Sequence, residues 1–154
     1  MTDWLTHTMI GWITGKTMRI EVGLVVLGSL LPDLVKLQMI IPLLEVNYQN
    51  FLNPLHTPAI ALLIGGIISM FFEDSKKAFL AIGIGITTHF ILDFFFIGAT
   101  KGIQFLYPLS WQYWRFNFIL GDLRITLIAV IAALCVYLYY FYNDTRKIRN
   151  RQKV

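Results

Sequence analysis

Cysteine is nearly absent from this chain: Cys135 is the single one, and it sits inside an apolar run. One thiol excludes a disulfide framework and a cysteine-built metal site within the chain. Charge is scarce as well. Asp, Glu, Lys and Arg make up 14% of the residues, against roughly 25% in a soluble domain. Asp3 is the only charge before Lys16, so the N-terminus lacks the basic stretch that opens a signal peptide. No internal repeat or low-complexity segment stands out.

What the chain has instead is apolar surface. Hydrophobic residues are 56% of 154. A single compact domain of this length cannot hide so much from water, so the expected solvent is lipid. The net charge of +4 points to nucleic acid or anionic lipid, and position decides between them. Arg146, Lys147, Arg149, Arg151 and Lys153 crowd the last nine residues, directly after an apolar run. A basic group there is a juxtamembrane anchor, and no nucleic-acid partner is expected.

The apolar runs predict an all-α, polytopic transmembrane bundle. Residues 56–72, 78–97 and 120–142 read as three clear spans, each near the roughly 20 residues that cross a bilayer. Residues 4–15 and 20–31 are too short to cross unaided and read as one or two shorter membrane helices. Pro32 should stop or kink the second of them. Residues 33–55 are expected to be an irregular, partly interfacial connection. The domain reading is one membrane-embedded unit over 1–142 and a basic cytoplasmic tail over 143–154.

Charge placement predicts an orientation. With the tail in the cytoplasm, Lys16, Arg19, Lys76, Lys77 and the five tail residues make nine cations inside, against four at or near the outer face: Lys36, Lys101, Arg115 and Arg124. This follows the positive-inside bias. The connection 98–119 then lies outside. Its Phe105, Tyr107, Trp111, Tyr113, Trp114 and Phe116 suit an interfacial segment, whose plain reading is an aromatic belt without chemistry.

Against this background the ionisable residues are exceptions, and an ionisable residue in a span is costly enough to suggest function. His7, His56 and His89 are the only histidines, and all lie within or at the edge of apolar segments. Asp33 follows the kink, and Asp93 lies inside a span. His89 and Asp93 are i and i+4, so they share a helix face. The same row passes back through Gly85 and Ala81, and His7, Gly11 and Gly15 also fall at steps of four. Small residues in such rows let neighbouring helices approach closely. The expected topology puts all five polar residues at one depth near the outer face. Three imidazoles and two carboxylates suit zinc or another divalent first-row metal. They exceed the needs of one four-coordinate ion, so either one acts as a general base or two ions bind. Each residue also has a plainer reading: an interfacial histidine, a hydrogen-bonded His–Asp pair, a helix-capping aspartate.

At these residues the sequence resembles the YdjM-like family, described as LexA-regulated, membrane-bound, metal-dependent hydrolases. The matching pieces are Thr6-His7 with Gly11, then Gly28-Ser29-Leu30-Leu31-Pro32-Asp33, then His56-Thr57-Pro58 opening a helix. Thr88-His89-Phe90-Ile91-Leu92-Asp93 and Tyr107-Pro108-Leu109-Ser110 follow in the family's order. The resemblance implies that His7, Asp33, His56, His89 and Asp93 belong to a metal centre. In ligand order the chain is also similar to zinc-dependent phospholipase C. It departs from many members after Pro-Asp, where they have a further Asp and His and this chain has Leu34-Val35-Lys36.

These readings predict a membrane-bound metal-dependent hydrolase acting on a phosphoester, lipid or lipid-linked, near the outer leaflet. Zinc is the expected ion. Asp33, His56, His89 and Asp93 are expected ligands, His7 is a further ligand or the base, and His7 and Asp33 are the candidates for catalytic roles. Arg115 is the candidate to steady an anionic substrate, with a snorkelling interfacial arginine as its plain reading. The alternatives are a non-enzymatic metal-binding membrane protein or partner subunit, and a bundle whose polar residues only hydrogen-bond to one another.

Overall fold

A computed structural model describes residues 4–34, 56–97, 102–114, 116, 119–120 and 123–151. The described residues form five α-helices: α1 Trp4–Met18, α2 Val22–Leu30, α3 Pro58–Ser69, α4 Ser75–Phe95 and α5 Leu123–Arg151. Extended backbone is confined, among the described residues, to a two-residue parallel pairing of β1 (Phe96–Ile97) with β2 (Ile119–Leu120) and a bridge between Ile103 and Trp114.

Among the described residues two helices, rather than three, are long and apolar enough to cross a membrane: α4, and α5 over Arg124–Arg146. The expected span over 56–72 contains a helix of 12 residues, which at 1.5 Å per residue reaches only about 18 Å. Local chemistry sets both of its ends. Thr57 is extended (φ −124°, ψ 145°), its hydroxyl accepts from the Ile60 N–H, and Pro58 fills the first turn, where its missing N–H costs nothing. After Ser69 a tight turn leads to Asp74, which caps α4 by accepting from the Lys77 N–H at 3.2 Å.

α2 ends at Leu30 and continues as a single 3₁₀ turn over Leu31–Leu34. Pro32 has no N–H to give and its ring crowds the carbonyl four residues back, so the α-helical ladder cannot continue through it. The turn carries Asp33 inward, to 1% exposure. The expected connection over 33–55 lies outside the described residues beyond Leu34.

Glycines set how close the helices come. A Cβ on Gly85 would land on the Val25 carbonyl oxygen, and one on Gly28 would land on the Ile82 carbonyl oxygen. α2 and α4 therefore cross in backbone contact, which only residues without side chains permit. Gly11 and Gly15 do the same between α1 and α2, where added Cβ atoms would meet Ser29 Oγ at 2.6 Å and Val22 Cα at 2.9 Å. The small-residue rows seen in the sequence are the contact faces. α5 packs against α1 through Thr126, Ala129 and Ala133, with Thr6 Oγ1 and Thr126 Oγ1 3.0 Å apart. Further along, the Tyr140 hydroxyl donates to the Lys16 carbonyl at 3.2 Å, so α1 and α5 run parallel. Leu127, Ile131, Leu134 and Leu138 of α5 face outward.

Candidate metal centre

The helix directions decide the site. The start of α1, the end of α2, the start of α3 and the end of α4 meet at one end of the bundle. Each brings one sequence-predicted residue, and α4 brings two. His7 is in the second turn of α1, Asp33 is in the turn after α2, His56 directly precedes the Thr57 cap, and His89 and Asp93 occupy the last turns of α4. All five side chains converge.

Asp33, His56, His89 and Asp93 each offer one atom to a group in which all such atoms lie within 4.8 Å of one another. His56 Nε2 is 3.1 Å from Asp93 Oδ2, 3.2 Å from His89 Nε2 and 3.8 Å from Asp33 Oδ1. His89 Nε2 is 3.5 Å from Asp93 Oδ2 and 3.8 Å from Asp33 Oδ1. A tetrahedral ion with ligand bonds near 2.0–2.1 Å keeps its ligands about 3.3 Å apart. The observed separations bracket that edge, so the four residues fit a single divalent ion.

The orientation of His89 fits too. Its Nδ1–H donates to the Ser29 carbonyl at 2.7 Å, which leaves Nε2 with its lone pair toward the group. Holding a ligating imidazole by a backbone carbonyl on its far nitrogen is how metal sites choose the tautomer. Ser29 also donates through Oγ to the His7 carbonyl at 3.1 Å and the Val26 carbonyl at 2.8 Å. One residue of α2 thereby ties α1 and α4 together beneath the site. The sequence reading gave Ser29 no role; its position four residues before Asp33 was the available signal.

His7 stands slightly apart. Its ring stacks on His89, with centroids 4.0 Å apart and planes 20° from parallel. Its Nε2 is 3.4 Å from Asp93 Oδ1 and 4.0 Å from Asp33 Oδ2. These are the carboxylate oxygens opposite to those near His56 and His89. Both carboxylates thus present one oxygen to each side. Neither ring nitrogen of His7 is hydrogen-bonded, although the side chain is fully buried. A buried imidazole without such bonds is expensive, and a cation or a transferable proton is what would satisfy it.

Access is one-sided. The side chains of His7, Asp33, His89 and Asp93 are 0–2% exposed, while that of His56 is 13% exposed. His56 and His89 both set their rings edge-on to Phe90, with centroids 5.5 and 5.4 Å away. Arg115 lies outside the described residues. On either side of it the loop is held by paired bonds between Ile103 and Trp114 and by the Phe116 N–H donating to the Phe94 carbonyl at 3.1 Å.

A family model described as YdjM inner membrane protein matches residues 1–150. The chain belongs to the YdjM inner membrane protein family. No curated protein and no solved structure matches it, and the likeness to zinc-dependent phospholipase C is not among the matches. As a YdjM family member with two helices able to cross a bilayer, it is a membrane protein with a buried His/Asp group able to hold a metal ion.

Proposed function

We propose that this YdjM family member is a metal-dependent hydrolase of a phosphoester, lipid or lipid-linked, with its site toward the outer leaflet. The observation that carries the reading is the group formed by Asp33, His56, His89 and Asp93, with five separations of 3.1–3.8 Å among their facing atoms and an unsatisfied His7 beside it. Asp33, His56, His89 and Asp93 would hold the ion, with zinc as the leading candidate for a mixed imidazole and carboxylate set. A divalent cation held there would supply the Lewis-acid chemistry of phosphoester hydrolysis. His7, facing the second oxygens of both aspartates, is placed to accept a proton from an attacking water. Asp93 and Asp33 lie 3.4 and 4.0 Å from its Nε2, and the buried surroundings exclude bulk water.

The orientation rests on charge. Lys16 and Arg19 at the end of α1, Lys76 and Lys77 at the start of α4 and Arg146 late in α5 gather at the end of the bundle opposite the metal-ligand group. With that basic end inside, the chain is multi-pass, the tail is cytoplasmic and the site faces outward. The short α3 then reaches only part-way, with His56 at its outer end.

The test is metal analysis of purified protein together with phosphate release from phospholipids and isoprenoid phosphates, comparing wild type with His89→Ala. Bound metal and release in wild type alone are expected. Equal release from both removes the catalytic assignment. The second reading is a non-enzymatic metal-binding protein, which the near-complete burial of four of the five side chains favours. Stoichiometric metal without release from any phosphoester in the panel would select it.

A further inference from the structure

An apolar cavity of about 200 Å³ lies between α3 and α4, lined by Pro58 and Leu62 of α3, Phe90, Ile91 and Phe94 of α4, and Phe105 of the following loop. Three features connect it to the metal-ligand group. Phe90 is shared, being a wall of the cavity and the ring on which His56 and His89 rest edge-on. Pro58 is two residues from His56, the ligand-group side chain that retains exposure. The outer rim, at Leu62, Ile91 and Phe105, is open, with these residues 38%, 52% and 41% exposed. In a membrane protein that opening faces hydrocarbon. The cavity therefore lies beside the polar site, separated from it by Phe90, with its exposed rim toward lipid.

We infer that this groove seats one fatty-acyl chain of a phosphate-bearing glycerolipid whose headgroup reaches the Asp33, His56, His89 and Asp93 group; the inference rests on the phosphoesterase reading above. The two ends match such a molecule in order, with a group inside whose divalent cation, once held, would bind a phosphate, and an apolar cavity beside it. The volume agrees. It is below the roughly 300–1,000 Å³ of pockets that enclose a whole small ligand, so it holds part of a molecule, and its apolar lining suits a length of chain rather than a headgroup.

Leu62→Trp and Ile91→Trp, each at an exposed rim position, test this by filling the groove, with Leu134→Trp on the outer face of α5 as the control. Two measurements are made on full-length protein in mild detergent. Native mass spectrometry reads retention of added long-chain phosphatidic acid, and phosphate release compares that lipid with glycerol phosphate and with an isoprenoid phosphate. Wild type and Leu134→Trp are expected to retain one phosphatidic acid. The groove variants are expected to lose it, and their ratio of phosphatidic acid to glycerol phosphate turnover should fall by about tenfold, as for displacing two or so buried methylene groups. Retention and ratio unchanged in both groove variants overturn the inference, as does retention of the isoprenoid phosphate in preference to phosphatidic acid. Absence of all turnover alongside groove-dependent retention counts against the hydrolase reading alone.

Discussion

His89 donates through Nδ1 to the backbone carbonyl of Ser29 at 2.7 Å, and this bond aims its Nε2 at the Nε2 of His56, 3.2 Å away. A carbonyl of α2 thereby sets which nitrogen of an α4 histidine is open for a ligand. The arrangement predicts a graded series. His89→Ala should abolish metal binding. Ser29→Ala keeps the carbonyl but removes the Oγ bonds to His7 and Val26, and should weaken binding by roughly tenfold, the lower end for residues that support ligands. Metal titration of the detergent-purified variants measures both. Equal affinity in wild type and His89→Ala would mean the ion sits elsewhere.

The close crossing of α2 and α4 predicts a contrast among glycines. Gly85→Ala puts a Cβ onto backbone atoms of α2, which cannot yield as a flexible side chain would. It should cost about 1–3 kcal/mol, lower the melting temperature by several degrees and weaken metal binding, because α2 and α4 carry Asp33, His89 and Asp93. Gly23→Ala meets nothing within 4 Å and should gain roughly 0.5–1 kcal/mol from helix propensity. Thermal unfolding that ranks the two the other way round contradicts the crossing.

The hydroxyl pair Thr6–Thr126, 3.0 Å apart and buried, is a polar link between α1 and α5. Hydrogen bonds between membrane helices measure about 0.6 kcal/mol on average, with a ceiling near 1.7. A double-mutant cycle with Thr6→Val and Thr126→Val should return a coupling in that range. Zero coupling would remove the link as a determinant of where α5 packs.

Asp74 begins α4 with both a backbone cap and an ion pair to Lys77 Nζ at 2.8 Å. The hydrogen bond from the Lys77 side chain holds its carboxyl below the ordinary 3.8. A depressed carboxylate adds stability that is present above its unfolded-state value and is lost as pH falls through the folded one. The first turn of α4 should therefore lose amide protection, measured against the intrinsic exchange rate at the same pH, below about pH 4, and Asp74→Ala should show that loss at neutral pH. Asp74→Asn, which can still cap, should lie between them. Exchange mass spectrometry over residues 75–80 reads the difference.

Much of this protein is written locally. Helix ends follow from Thr57-Pro58 and Asp74, and the break after Leu30 follows from Pro32, because each acts through its own backbone within a turn. The apolar excess makes lipid the solvent, and the steps of four from His89 to Asp93 and from His7 to Gly15 fix which residues share a helix face. All five polar residues later found together were recognisable as exceptions in apolar segments.

Other properties needed the fold. The length of α3 was overestimated because residues 70–72 are as apolar as a span, yet they turn toward Asp74 rather than extend the helix. The role of Ser29 is carried by its backbone carbonyl, which matters only once His89 is packed beside it. The apolar channel beside His56 exists only between two helices. The sequence by itself determined a membrane protein with a short set of costly polar residues, for solvent preference and periodicity are properties of neighbouring residues. Only the tertiary structure decided that these residues face one another at ligand spacing, because the crossing of α2 and α4 depends on backbones meeting at Gly28 and Gly85, fifty-seven positions apart in the chain.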